Sequence, residues 1–202
     1  MLILAREQIS PEVLKITSDT GSAFFIRTNY LVSVKAEEIT ESVEFSGLFE
    51  EDIIDAGLAY SVEIKALDYL SRCEQNRSGL TKKLLNKGFE NKYIEKALDY
   101  LEEKKYLSDE RFARAWLNSR KINHSEGRTK LAAELAARGI KKETASTALK
   151  DFFDENSEIE LCKKDFIKIS RTTCDREKII RRLIAHGFSY SMIKKVISES
   201  DL

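Results

Sequence analysis

Apolar residues recur along this chain with two different periods. Between residues 12 and 34 they alternate with polar ones and favour β-branched and aromatic types, as in Val13-Leu14-Lys15-Ile16-Thr17 and Ala23-Phe24-Phe25-Ile26-Arg27-Thr28, with Asp19-Thr20-Gly21-Ser22 between the two runs. Alternation bounded by a Gly-containing turn predicts a β-hairpin. Val32–Val34 and Ser42–Phe45 are candidates for a further short strand. A lone hairpin is marginal in water, so this one is expected to lean on the later part of the chain. From Leu48 to Ala59 the pattern turns helical, with Glu50, Glu51 and Asp52 where the positive end of a helix dipole favours acids.

From residue 60 onward the period is 3.6. Ala66, Tyr69, Leu70 and Cys73 fall at i, i+3, i+4 and i+7 and mark one helix; Leu80, Leu84 and Leu85 mark a second; Ile94, Ala97, Leu98 and Leu101 mark a third. The set then returns twice. Phe112, Ala115, Trp116 and Ser119 are followed by Leu131 and Leu135 and by Ala145, Ala148, Leu149 and Phe152, with Ser108 as a candidate N-cap ahead of Asp109 and Glu110. Cys162, Phe166 and Ile169 are followed by Ile179 and Leu183 and by Ile193, Val196 and Ile197.

A recurring turn keeps this register. Leu84-Leu85-Asn86-Lys87-Gly88-Phe89 has counterparts in Leu135-Ala136-Ala137-Arg138-Gly139-Ile140 and Leu183-Ile184-Ala185-His186-Gly187-Phe188, with the glycines 51 and 48 residues apart. Gly just past a helix cap takes up a left-handed backbone, and the apolar residue after it packs on the one four before it. The prediction is a mainly α chain: a tandem array of three three-helix, helix-turn-helix-like repeats behind a small N-terminal β-hairpin region. The expected segments are 1–47 for the β-containing region, 48–106 for the first repeat with its leading helix, 107–156 for the second and 157–202 for the third. Helical arrays offer long surfaces suited to large partners.

Composition adds polarity along the chain. Of 202 residues 34% are charged, with a formal net charge of zero, yet residues 1–60 hold four Lys/Arg against eleven Asp/Glu while residues 160–202 hold ten against six. A single Pro and eight Gly suit long helices. Three widely spaced cysteines, Cys73, Cys162 and Cys174, argue against a disulfide framework and for a reducing, cytoplasmic setting, with Cys73 and Cys162 as small core residues on apolar stripes. Met1–Ala5 is too short for a signal-peptide core, and no run is long enough to span a membrane. Cys162, Cys174, His124 and His186 lack metal-site spacing, neither histidine belongs to a nucleophile motif, and there is no Gly-rich phosphate loop. No catalytic residue, metal or cofactor is therefore expected, and the chain is not expected to be an enzyme.

The basic residues carry more. Eleven positions before each turn glycine stand Arg77, Arg128 and Arg176, near the start of each second helix, where a cation opposes the helix dipole. Either an internal carboxylate or an external anion would explain them. Lys87, Arg138 and His186, one position before each glycine, suit a helix C-terminus. Lys82-Lys83 and Arg181-Arg182 hold matching places in the first and third repeats, where the second has Ala133-Glu134. Trp116 and Tyr106 are the aromatic residues best suited to anchor a partner, although the stripe position of Trp116 favours the core.

Three stretches together resemble the RecX family of bacterial recombination regulators: Ala66–Arg72, Arg77–Phe89, and Tyr106-Leu107-Ser108-Asp109-Glu110-Arg111-Phe112-Ala113. The resemblance runs through Gly127, Leu131, Glu134-Leu135 and Arg138-Gly139-Ile140 into the third repeat, and the hairpin is similar to an extension some members carry. Gly79 departs from it, because the family tends to have Glu there, and Gly costs about 1 kcal/mol relative to Ala inside a helix. The resemblance implies a non-enzymatic, monomeric, cytoplasmic protein that binds the RecA recombinase filament and restrains its growth, ATP hydrolysis and strand exchange, modulating recombinational repair and the SOS response. Arg77, Lys82, Lys83, Arg128, Arg176, Arg181 and Arg182 are its candidate contacts with RecA or with single- or double-stranded DNA backbone. The alternative is an independent duplex-DNA-binding protein using tandem helix-turn-helix units.

Overall fold

The alternating residues form an antiparallel sheet in a computed structural model of the chain, which describes residues 1–200. Strands β1 (Ile3–Ser10), β2 (Val13–Ser18) and β3 (Phe24–Arg27) lie in the order β1-β2-β3. The predicted hairpin is β2–β3, with Leu14 opposite Ile26 and Ile16 opposite Phe24. β1 was not anticipated. Of its eight residues only Ile3 is buried, so an edge strand with a polar middle gives no one-sided alternation.

The expected strand at Val32–Val34 does not form. Short 3-10 turns occupy Thr28–Tyr30 and Ala36–Glu38, and the amides of Val32, Ser33 and Val34 donate to the Asp52 carboxylate at 3.0, 2.7 and 2.9 Å. A buried acid collecting three successive amides bends the chain away from any ladder. Ser42–Phe45 adds only one bridge, Leu2 to Glu44, with flanking main-chain bonds to Met1 and Ile3.

Helix α1 (Leu48–Leu70) is continuous, joining what the pattern suggested as two helical stretches. Its inner face carries Ile53, Ala56, Ala59, Val62 and Ala66, mostly small residues that let the sheet and a later helix approach closely. Cys73 lies beyond its end and is exposed, so it is not a core residue; Cys162 is buried, which pushes its thiol up to about 11. α2 (Arg77–Leu85) buries Leu80 and Leu84 but leaves Leu85 exposed. α3 (Asn91–Glu103) buries Ile94, Ala97, Leu98 and Leu101, all four on the predicted stripe.

Residues 1–73 with 80–107 make one compact unit; residues 74–79 with Ser108 onward make the other. The second unit contains α4 (Asp109–Asn123), α5 (Arg128–Ala137), α6 (Lys142–Glu155), α7 (Glu158–Ser170), α8 (Arg176–Ala185) and α9 (Tyr190–Ser200). Ser108 caps α4 by accepting from the Arg111 amide at 3.3 Å. The seam of α4 is rotated from the predicted one: Ala113 and Leu117 are its buried pair, Phe112 and Trp116 are partly buried beside them, and Ala115 and Ser119 face solvent. Elsewhere the predicted apolar positions enter one core, including Leu131, Leu135, Phe152, Cys162, Leu183 and Val196.

The three glycine turns share one geometry. Gly88, Gly139 and Gly187 have φ of 86°, 82° and 90°. In each, the amide after the glycine reaches back to the leucine four before it (Phe89 to Leu84, Ile140 to Leu135, Phe188 to Leu183, at 3.1–3.3 Å), and the glycine amide reaches the third residue before it. This double bond is the Schellman arrangement, and only a residue at ease with positive φ closes it cheaply.

Candidate partner-binding surface

Each second helix starts on an arginine: Arg77 in α2, Arg128 in α5 and Arg176 in α8. In the first two, an internal acid answers the helix dipole. The Arg77 amide donates to Asp109 Oδ1 at 2.8 Å and the Arg128 amide to Glu158 Oε1 at 2.7 Å. These acids are the first residues of α4 and α7, so the first helix of one repeat caps the second helix of the repeat before it. The Arg128 guanidinium is itself engaged, 4.6 Å from the Phe153 ring centre and 4.0 Å from Glu158. In α8 the residue before the helix, Asp175, is the cap instead, accepting from the amides of Glu177 and Lys178 at 3.0 and 3.2 Å. The Lys178 amide first, then the Lys178 ammonium and the Glu177 amide, outweigh burial and hold Asp175 below its ordinary pKa.

The glycine turns of the second and third repeats also seat on those helix starts. A methyl built on Gly139 would lie 2.7 Å from Ser78 Cβ, and Asn76 Nδ2 donates to the Arg138 carbonyl at 2.5 Å. One built on Gly187 would lie 2.5 Å from the Lys130 nitrogen, and the Gly127 amide donates to the His186 carbonyl at 2.9 Å. Gly79 belongs to this joint. A Cβ there would crowd Asn76 Oδ1 at 2.7 Å, so its absence makes room for the side chain that holds Arg138, and α2 runs through Gly79 unbroken. Beside the second joint, buried Glu126 takes Arg120 in two bonds of 2.6 and 2.9 Å and Lys130 at 2.8 Å. Burial alone would raise the Glu126 pKa, but the two cations more than offset this and lower it.

The other sequence candidates lie on exposed helix faces. Lys82 and Lys83 are exposed on α2, with Lys83 Nζ 5.4 Å from the Tyr69 ring centre. Arg181 is 70% exposed beside Glu177, and Arg182 donates to Thr172 Oγ1 at 3.0 Å. Arg176 is also exposed on α8. Two cations lie over the Trp116 ring, with the Arg138 guanidinium 4.4 Å and that of Arg120 5.6 Å from its centre, while Tyr106 is exposed. His186 Nδ1 lies 2.6 Å from buried Asp165.

Two features had escaped the sequence. One is a cleft of about 550 Å³ in the second unit, whose lining includes Lys121, His124, Lys164 and Lys168 together with Glu155 and Glu160. Its lysines come from two helices more than forty residues apart, so no local run betrayed it. The other is a charged cluster in the first unit: buried Glu63 accepts from Arg27 Nε and Nη2 at 2.7 and 2.5 Å and from the Tyr30 hydroxyl at 2.9 Å, while Glu12 accepts from Arg27 and the Tyr100 hydroxyl, each at 2.9 Å. Burial, helped by the Glu12 bond, pushes Tyr100 up to about 12. Every donor in this cluster is matched, which marks it as structural. Among the described residues, no group of three His, Cys, Asp or Glu could hold a metal ion, and no helix is long and apolar enough to cross a membrane.

Family models described as the first and second three-helix domains of RecX match residues 64–101 and 108–149. A regulatory protein RecX of Treponema pallidum is 33% identical over 139 residues, covering 69% of this chain and 85% of that protein. One from Bacillus licheniformis is 28% identical over 210 residues, covering 98% of this chain and 76% of that protein. Among solved structures, a regulatory protein RecX superposes with a TM-score of 0.77 at 22% identity over 98% of both chains, and RecX from Lactobacillus salivarius with 0.63 at 24% identity over 71% of this chain and 97% of that one. At those identities the structures speak for the fold.

Proposed function

Since the chain belongs to the RecX family and is a regulatory protein of that kind, we propose that it binds the RecA recombinase filament on DNA and restrains filament growth, ATP hydrolysis and strand exchange. The observation that carries this reading is the 33% identity to a regulatory relative along 85% of that relative's length. The protein works as a cytoplasmic monomer and contributes cations to an acidic partner surface or to the DNA backbone. Lys82 and Lys83 on α2 and Arg181 and Arg182 on α8 are the contacts, because they stand exposed on helix faces, with Arg176 and Arg77 beside them on the same helices. Arg128 is assigned chiefly to the joint it braces. Contacts of this kind weaken as salt rises, because screening and counterion release both oppose them.

The test is the ATPase rate of RecA filaments on single-stranded DNA with increasing amounts of this protein, alongside direct binding. A falling rate is expected; an unchanged rate at verified saturation would refute the reading. Replacing Lys82, Lys83, Arg181 and Arg182 together by Glu is expected to abolish binding with unfolding unchanged, whereas Arg128→Glu is expected to reduce stability.

A further inference from the structure

Two of the three glycine turns are occupied and the third is not. Gly139 seats on the first turn of α2 through Ser78, and Gly187 seats on the first turn of α5 through Gly127 and Lys130. In both, the carbonyl just before the glycine accepts a hydrogen bond from the residue preceding the receiving helix, Asn76 to Arg138 and Gly127 to His186. Gly88 has the same φ and the same two main-chain bonds, yet a Cβ built on it meets nothing within 4 Å. Lys87 and Gly88 are exposed, and among the described residues no hydrogen bond reaches the Lys87 carbonyl.

We infer that the Gly88 turn docks onto the first turn of a helix in a protein partner, in the manner of the two internal joints. The internal joints specify the receiving chemistry. It is a helix start with a small residue, Ser or Gly, facing the turn and one N–H donor, from main chain or an Asn side chain, aimed at the carbonyl of the residue before the glycine. Exposed Leu85 adds an apolar contact at the rim, and exposed Lys82 and Lys87 favour a partner with acids around that helix start. A second copy of this chain does not fit. Among the described residues the second-helix start that seats no glycine turn is that of α8, where the Asp175 amide is already bonded to Thr173 Oγ1, its carboxylate already accepts from its own helix, and Glu177 stands where α2 has Ser78. An acceptor facing a carbonyl repels it.

This inference rests on the filament reading, with a recombinase subunit as the partner. Gly88→Asn tests it, since Asn tolerates a left-handed backbone and the site has open space around it. Expected is a small shift in melting temperature together with binding to RecA–single-stranded-DNA filaments weakened about tenfold or more. A photo-crosslinker at Lys87 is expected to react with the recombinase in the first turn of a helix. If the wild-type chain does not bind filaments, both readings fall. If it binds and Gly88→Asn binds equally well, this inference alone falls. Crosslinking to DNA, or a dimer of this chain lost on substitution, would overturn it in favour of those occupants.

Discussion

Adding one methyl group to Gly127 is expected to break the joint between α5 and the Gly187 turn. Gly127 has φ of −84°, a conformation open to any residue, so backbone strain does not enter. Its difficulty is space: a Cβ would overlap the Gly187 carbonyl oxygen and lie 2.5 Å from that carbonyl's carbon and 2.7 Å from the Phe188 nitrogen. All of these are main-chain atoms, so relief requires the turn to withdraw. Overpacking of this kind costs about 1–3 kcal/mol. Loss of the Gly127 to His186 bond adds about 1 kcal/mol, and the stiffer unfolded chain returns about 0.4–1 kcal/mol. Gly127→Ala should therefore destabilise by about 1–3.5 kcal/mol, or about 5–17 °C in the melting temperature of a unit near 100 residues. Urea and thermal unfolding would measure it. Gly127→Ser separates packing from capping, because Ser is the better N-cap by a few tenths of a kcal/mol yet carries the same Cβ, and is still expected to destabilise. Gly21→Ala, where nothing lies within 4 Å, is the control expected to stay within about 0.5 kcal/mol. A stabilised Gly127→Ser, or Gly127→Ala no worse than the control, would refute the close joint.

In the first unit, Glu63→Gln leaves Arg27 buried with only Glu12 as a charged partner and is expected to cost about 3 kcal/mol in urea unfolding. Removing both charges together with the hydroxyl that Glu63 holds, by Arg27→Met, Glu63→Leu and Tyr30→Phe, should cost less, since neither a lone buried charge nor a stranded Tyr30 donor remains. Asp52 predicts a pH dependence. Burial raises its pKa, but the amides of Val34, Ser33 and Val32, with Lys96, outweigh burial and leave it lowered. A carboxylate whose folded pKa is depressed contributes stability above its unfolded pKa and loses that contribution as pH falls through the folded one. The melting temperature of the native chain should thus drop more steeply than that of Asp52→Asn as pH falls below about 4; parallel curves would sink the assignment.

The helical stripes were legible because period 3.6 and the glycine turns are local signals. Ile94 to Leu101 and Ala145 to Phe152 fall on the predicted faces for that reason. β1 was not legible, since an edge strand needs no apolar face, and the seam of α4 was misplaced because Phe112 and Trp116 compete with Ala113 and Leu117 for the interior. Asp52 suited a helix start by sequence, but its amide partners lie 18 to 20 residues earlier. Of the candidate residues, exposure of Lys82, Lys83 and Arg181 followed from their off-stripe positions. The carboxylates at the Arg77 and Arg128 amides, 32 and 30 residues ahead, did not. Long-range partners of this sort leave no periodic trace.

The joint also bears on how such a chain could lengthen. α5 carries a receiving surface at its start and a plugging glycine just past its end, ten helical residues apart. A gene duplication spanning one helix triplet would therefore import both halves of the contact at once, and the inserted copy could slot between its neighbours without new invention. The start of α8 is a different matter. There the Asp175 amide is already bonded to Thr173 Oγ1 and Glu177 stands where α2 has Ser78, so a turn seated there would have to displace both.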